Sequence, residues 1–580
     1  MAETYARPRF GAPREPKNLV NPGNTLVRAI DFAAASHVRA AAFLVLCGLL
    51  LFLPGFFSIP VIDRDEARFA QATKQMVESG DYVDIRFQDD VRYKKPVGIY
   101  WMQAVAVKTA SALGLPGADR RIWVYRMSSL IGAIGAVLLT YWAALAFVTR
   151  RGAVLAALLL CSSVLLSAEA RLAKTDAMLL LTVVAAMGAL ARIYMSWQRG
   201  EDPAHPPWRW PIIFWTALAG GILLKGPLIL MFAGLSIVTL AILDRGASWL
   251  WRLRPVWGLM WMLVLVLPWF VAIYWRAGDA FFADSIGGDM LSKLAAQESH
   301  GAPPGLYLAL FFITFWPGAP LAAMAVPAVW RARREPGAQF LLSWLVPSWV
   351  VFELVLTKLP HYVLPLYPAI AILTIGALER RVLSRSWLAR GSAWWFAIPA
   401  LASIIAVIGA ITLTRQPVFV AWPFVAAALI FGLFGWLLYE DNRAERSLLN
   451  GVVAAMFLAF AIFGVVTPAL TPLFPSAEIA HALRNVVCKG PKAAASGFQE
   501  PSLVFMTNTA TLLTDGSGAA DFLSQGSCRF ALVEQRTERA FAQRAEAIGL
   551  RYNVATRIDG YNISQGRPIS IAIFRSEGTE

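Results

Sequence analysis

Gly451-Val-Val-Ala-Ala-Met-Phe-Leu-Ala-Phe-Ala-Ile-Phe-Gly-Val-Val-Thr-Pro-Ala-Leu470 carries no charge from end to end. About 20 such residues are what a helix needs to cross the hydrocarbon core of a bilayer. Residues 40–53 read the same way, and neither stretch alternates as the strands of a membrane barrel would. The rest of the chain agrees: of 580 residues, 57% are hydrophobic and only 15% charged, with a mean hydropathy of +0.56. Soluble chains carry roughly a quarter charged residues, so an anchored soluble enzyme is excluded and an α-helical polytopic membrane protein is expected. The net charge of +15 is read as contact with lipid headgroups and as basic loops kept inside. No nucleic-acid recognition module accompanies it, and no nucleic-acid partner is expected.

Apolar stretches of bilayer length fall near 39–60, 126–148, 153–167, 175–194, 210–223, 227–243, 255–275, 304–330, 339–356, 362–378, 393–414, 419–439 and 450–470, about thirteen spans. Residues 1–38, rich in Arg and broken by Asn21-Pro-Gly23, read as a cytoplasmic tail. Alternate loops are Arg-rich: 150–151, 192–209, 245–254, 331–334, 380–390 and 443–446. The charge bias therefore puts the N-terminus inside and the long segment 61–125 outside. After an odd number of spans, residues 471–580 form an outer soluble domain of α/β character. Strands are expected at 503–506, 530–533 and 569–574, and helices at 477–487 and 538–548. Cys488 and Cys528 both fall in this domain, where an oxidising compartment permits a disulfide.

Charges gather on the outer face. Asp63, Asp65, Glu66 and Arg68 stand at the end of the first span. As a helix this stretch pairs Asp65 with Arg68 and sets Phe69, Met76 and Val77 as an apolar stripe for the membrane interface. Arg92-Tyr-Lys-Lys-Pro96 sets Lys94 and Lys95 before a helix start, which favours an anion such as a lipid phosphate. Lys174 and Asp176, Lys225, Lys293, and Lys358 with His361 and Tyr362 recur in outer turns, a face that the charge bias should leave poor in lysine. Together they imply a cationic pocket that holds a phosphate or diphosphate against carboxylates. The plainer readings are a solvated helix end at Asp65, lipid contact at Lys95 and a helix cap at Asp176.

Five motifs, Asp65-Glu-Ala-Arg-Phe69, Tyr93-Lys-Lys-Pro96 with Tyr100-Trp101, Arg171-Leu-Ala-Lys-Thr-Asp176, Leu224-Lys-Gly-Pro227 and Lys358-Leu-Pro-His-Tyr-Val-Leu-Pro-Leu-Tyr-Pro368, occur in order. Across residues 39–470 the chain resembles the bacterial aminoarabinose transferase and protein O-mannosyltransferase superfamily of GT-C fold, which is polyprenyl-phosphate-dependent. The resemblance implies a GT-C-like transmembrane domain at 39–470 with a small periplasmic domain behind it. It implies Asp65 as the key carboxylate at the acceptor, Lys95, Lys293 and Tyr362 at the lipid phosphate, and Arg68 and Asp176 completing the pocket. The family often has an acid directly before the phosphate-binding lysine and a His five residues before its phosphate-binding base. Here those positions are Lys94 and Gly288, so no metal is expected there. No cofactor is expected, with a divalent cation left open.

The implied activity is sugar transfer from a polyprenyl-phosphate donor to an envelope acceptor, a glycolipid such as lipid A ahead of a protein, at the periplasmic face of the inner membrane. A transporter would show internal repeats and charges at the bilayer midplane, and neither is evident. A scaffold with an outer recruiting domain would tolerate neutral residues at Asp65 and Lys95. Neither sugar nor oligomeric state is legible.

Overall fold

The computed structural model describes residues 25–201, 207–285, 302–384, 393–415, 417–439, 443–486, 488 and 490–576. Within them the chain is a multi-span helical bundle capped on one face by a mixed α/β domain. Six helical segments are long and apolar enough to cross a bilayer: Ile122–Ala144, Asp176–Gln198, Pro255–Ala277, Pro336–Leu354, Pro360–Glu379 and Ala444–Ala469. Four shorter apolar helices accompany them, at His37–Phe52, Leu228–Leu243, Ile398–Thr414 and Ala421–Leu437.

The remaining three of the thirteen expected stretches are less regular. The stretch 153–167 divides into α6 (Arg150–Cys161) and α7 (Val164–Glu169), and 304–330 divides into Leu306–Thr314 and Ala319–Arg331 around a cis Trp316–Pro317 bond. The two breaks meet, since Val164 N–H donates to the Trp316 carbonyl at 3.2 Å, satisfying one of the backbone groups that a break leaves open. The stretch 210–223 is α9 (Arg209–Lys225) and carries a charge at each end.

Burial sorts the helices. In α8 (Asp176–Gln198) and in Pro360–Glu379, 78% of the apolar window is buried, against 28% in Pro255–Ala277, whose Val256, Trp257, Met260 and Val264 face outward. Helix α8 is therefore central, packed on α5 (Ile122–Ala144) and α9. Close approach fixes it: a Cβ at Gly132 would lie 2.8 Å from the Met178 amide, so only glycine lets α5 and the start of α8 meet. The expected tail contains a helix, α1 (Thr25–Ala34), which buries Val27, Ile30 and Ala33 and is tied to α6 by an Asp31–Arg151 ion pair of 2.8 Å. Residues 25–34 of the expected tail are thus helical and packed on the bundle; residues 1–24 lie outside the described ones.

Between α2 (His37–Phe52) and α5 the long loop folds as α3 (Asp65–Ser79), a hairpin β1–β2 (Arg86–Phe87, Asp90–Val91) and α4 (Gly98–Ala112). The expected lipid-facing stripe turns inward instead: Phe69 and Met76 are buried with Ile85, Tyr93 and Tyr100, and the protein covers them rather than lipid. A Cβ at Gly98 would lie 2.7 Å from the Leu223 carbonyl, so this glycine seats α4 on the end of α9.

The C-terminal domain is a five-stranded sheet of order β4-β3-β5-β7-β6, with β3 (Lys492–Ser496), β4 (Leu512–Thr514), β5 (Arg529–Glu534), β6 (Tyr552–Asn562) and β7 (Arg567–Ser576). β3 runs parallel to β4 and β5, whereas β7 pairs antiparallel with β5 and β6. Two expected strands (530–533, 569–574) and both expected helices form, the helices as Pro475–Arg484 and Glu538–Ala547. The expected strand at 503–506 is a helix, Pro501–Met506. Pro501 opens it as proline does at a first turn, and four apolar residues fit either element. Cys488 and Cys528 form a disulfide, with Cα atoms 5.9 Å apart.

This domain docks on α3 and its flanking residues. Ser502 N–H donates to Asp63 (3.1 Å), Lys74 to the Phe505 carbonyl (3.3 Å) and Gln71 to Thr509 (2.9 Å), while Phe505 packs edge-on against Tyr125.

Candidate functional site

The site starts with a buried clamp. Arg126 on α5 donates to both carboxylate oxygens of Glu66, at 2.8 and 2.9 Å, and to the carbonyls of Phe56, Ile59 and Pro60. Glu66 in turn accepts from the amides of Ile62 and Ala173, each at 2.9 Å. Both side chains are fully enclosed, so the pair joins the end of the first span, the start of α3 and the turn before α8. Glu66, expected to bind substrate, is thus committed to structure. Arg171 does similar work: its guanidinium donates to the carbonyls of Leu51, Pro54 and Ser167 and lies over Phe463.

The clamp sets the turn 170–175 beside a second group of charges. Lys174 lies 3.1 Å from Glu169 and 3.8 Å from Asp176; Asp176 lies 2.5 Å from Lys225 at the end of α9. The His361 nitrogens stand 3.7 Å from Glu169 and 3.7 Å from Asp176, and Lys225 sits 5.4 Å from the ring centre of Tyr362. Burial works against the charge on Lys174, but Glu169, Asp176 and Asp65 outweigh it and hold its ammonium above the ordinary value. Three sequence motifs far apart in the chain therefore converge on one polar cluster at the face that carries the C-terminal domain.

Five predicted residues, Lys174, Asp176, Lys225, His361 and Tyr362, meet here. Glu169 joins them and was missed; an acid inside the apolar run 162–170 is the signal that marks it. Glu169, Asp176 and His361 offer ligand atoms within 4.8 Å of one another, close enough for a cation. Both carboxylates already pair with lysines, which supply the counter-charge a metal would bring.

The other predicted residues are placed differently. Asp65 is exposed at the start of α3 and acts on Lys174 through its charge. Among the described residues, Asp65 and the half-buried Arg68 make no hydrogen bond or ion pair with each other or with any neighbour, so the expected Asp65–Arg68 pair does not form. Lys95 is half-buried and Lys94 exposed just before α4. Lys358 is buried and donates to the carbonyls of Ala302 (2.9 Å) and Val355 (2.7 Å), which ties two chain segments together. Lys293 and Gly288 lie outside the described residues.

Comparison with known proteins gives a consistent picture. Residues 98–280 match the family model of dolichyl-phosphate-mannose-protein mannosyltransferase. The undecaprenyl phosphate-alpha-4-amino-4-deoxy-L-arabinose arabinosyl transferase of Pseudomonas aeruginosa is 27% identical over 494 residues, 82% of this chain and 83% of that one. The enzyme of that name from Aeromonas salmonicida is 27% identical over 332 residues, and the match spans 58% of its length and 56% of this chain. The crystal structure of ArnT from Cupriavidus metallidurans in the apo state superposes with a TM-score of 0.69 at 21% identity, covering 92% of this chain and 97% of that one. A second structure of that protein, bound to undecaprenyl phosphate, superposes equally well. In sequence and in fold alike, the chain is similar to the aminoarabinose transferase and protein mannosyltransferase group of GT-C proteins.

Proposed function

We propose that this chain is a glycosyltransferase that moves a sugar from a polyprenyl-phosphate donor to an anionic glycolipid of the envelope, lipid A or a close relative. The reading places residues 39–470 as the catalytic membrane domain of the bacterial inner membrane, with outer loop 61–125 and domain 471–580 on the periplasmic side. The observation that carries it is the convergence of the Asp65, Lys174–Asp176, Lys225 and His361–Tyr362 motifs on one face, with Asp65 left uncommitted beside a charged Lys174. The likeness to undecaprenyl phosphate-aminoarabinose transferases supports the donor class.

The chemistry follows from the charges. An acceptor oxygen attacks the anomeric carbon from the side opposite the leaving group; the bond from that carbon to the phosphate oxygen breaks, and the polyprenyl phosphate departs with the electron pair. The product is inverted at that carbon. Lys95 and Lys293 neutralise the departing phosphate, and Tyr362 borders it, because fixed cations stabilise charge that develops in the transition state. Asp65 orients the acceptor and takes its proton if it is a hydroxyl; a phosphate acceptor carries no such proton and needs only the orientation. Asp176, held by Lys174 and Lys225, keeps those ammonium groups and His361 in place.

The test is a purified chain in lipid nanodiscs with undecaprenyl phosphate-linked aminoarabinose and lipid A, read by mass spectrometry. A sugar-sized increment on lipid A supports the reading. An increment on an added protein instead, the outcome that the mannosyltransferase match favours, moves the acceptor to a protein hydroxyl. No transfer to either would overturn the enzyme.

A further inference from the structure

A cleft of about 580 Å³ opens between the start of α3 and the C-terminal domain, lined by Arg64, Arg68, Phe87, Gln499, Glu500, Pro501, Ser564 and Gln565. Its size falls within the roughly 300–1,000 Å³ of small-ligand sites. Arg64 and Arg68 flank Asp65 on the first turn of α3. Arg64 reaches across to the Ser564 carbonyl at 2.6 Å, so the cleft is bridged rather than merely enclosed. Arg68 is half-buried and, among the described residues, makes no hydrogen bond or ion pair. The one acid in the wall, Glu500, forms no ion pair with it; Glu500 is buried and accepts from Asn562 (2.9 Å) and Ser564 (3.0 Å).

The remaining wall is polar on both sides of the hydrogen bond. Gln499 donates its amide nitrogen to the Thr514 carbonyl and the Gln565 oxygen accepts from Arg567, which leaves the Gln499 oxygen and the Gln565 NH₂ without a hydrogen bond among the described residues. Guanidinium groups suit a phosphate because their N–H donors match its oxygens two at a time.

We propose, building on the transferase reading, that this cleft binds the phosphate-bearing headgroup of the acceptor. Arg68 and Arg64 meet the phosphate, and Gln499 and Gln565 of the C-terminal domain meet the sugar hydroxyls. The C-terminal domain is then half of the acceptor site, and Asp65 stands between the two arginines that hold its substrate.

The test measures binding without turnover, on the full chain in nanodiscs, for wild type, Arg68→Gln and Gln565→Glu. The probes are bis-phosphorylated lipid A, the same lipid dephosphorylated, inorganic phosphate and undecaprenyl phosphate. Losing a charged hydrogen bond or adding a repelling carboxylate should weaken phosphorylated lipid A roughly tenfold or more. The dephosphorylated lipid and undecaprenyl phosphate should be unaffected. Gln565 is exposed, so Gln565→Glu tests the cleft without disturbing the fold. Unchanged binding of phosphorylated lipid A, or an equal loss for undecaprenyl phosphate, overturns the proposal. A loss confined to inorganic phosphate assigns the cleft to a free anion and overturns it as an acceptor site. Selective lipid A binding by a wild-type chain that forms no product would count against the proposed reaction and not against the cleft.

Discussion

Two charged regions lie within a few turns of each other, and they differ in whether their charges are already paired. Around Glu66–Arg126 and Asp176–Lys225 every carboxylate meets a cation at 2.5 to 3.1 Å, with little exposure to solvent. Arg68 faces a cleft, and neither it nor the exposed Asp65 makes a hydrogen bond or ion pair among the described residues. Buried pairs fix geometry but add little net stability, because desolvation offsets their attraction. Asp65 and Arg68 act on Lys174 and Asp63 only through their charge, which leaves their own hydrogen-bonding atoms open to a ligand. The paired region is thus a frame, and the unpaired one is where substrate is expected.

The sharpest break in that contrast is Arg126→Met, which would leave Glu66 buried without its counter-charge. A loss of about 3–5 kcal/mol is expected, read by thermal unfolding in detergent, with much of it recovered in Arg126→Met/Glu66→Leu. Equal stability of wild type and single variant would show that the pair is no frame.

The disulfide comes next. Cys488 and Cys528 are 40 residues apart, and removing a bridge that closes a loop of this size costs roughly 2–4 kcal/mol. Cys528→Ser should therefore loosen the C-terminal sheet to proteolysis while leaving the membrane helices as resistant as before. Loss of protection across the whole chain would mean that the sheet domain also holds the bundle.

Asp63 lies on the border between the regions. Burial lifts its carboxyl to about 6, with Glu500 pushing the same way and the Ser502 amide and Arg68 opposing. Because the docked form prefers the protonated acid, docking gains stability as pH falls from above 6 towards the ordinary carboxylate value near 4, and loses it again as pH rises; above the window it is flat. The gain is at most about 3 kcal/mol. Protection of the Pro501–Met506 helix against hydrogen exchange, taken relative to the intrinsic rate at each pH, should rise across this window in wild type and not in Asp63→Asn. Protection that falls on acidification would reverse the sign and contradict the assignment.

The smallest effect on stability belongs to the unpaired residues. Arg68→Gln and Asp65→Asn should each change it by no more than about 0.5 kcal/mol, as surface substitutions do. A larger loss would mean that these groups are part of the frame.

Much of the site was legible because its residues sit in short turns at one end of successive apolar runs. A lysine such as Lys225 between two apolar runs advertises itself, as do the Lys174–Asp176 and His361–Tyr362 turns. The structural partners of Glu66 and Lys358 were out of reach because they are distant: Arg126 stands sixty residues on from Glu66, at the head of a span, and the Ala302 carbonyl carries no side-chain signal at all. The strand β3 escaped because Lys492-Ala-Ala-Ala-Ser496 has little intrinsic preference for a sheet and becomes one only through burial between β4 and β5. The unpaired state of Arg68 was out of reach too. It depends on the Ser502, Phe505 and Ser564 contacts that dock the C-terminal domain more than four hundred residues away.

The measurement that bears most directly on the central claim is mass spectrometry of lipid A from a deletion strain carrying wild type or Asp65→Asn at equal abundance. A sugar-sized increment with wild type, reduced roughly 10²-fold or more in the variant, is predicted. An increment of the same size and yield from both would contradict the assignment of Asp65 as the uncommitted group on which transfer depends.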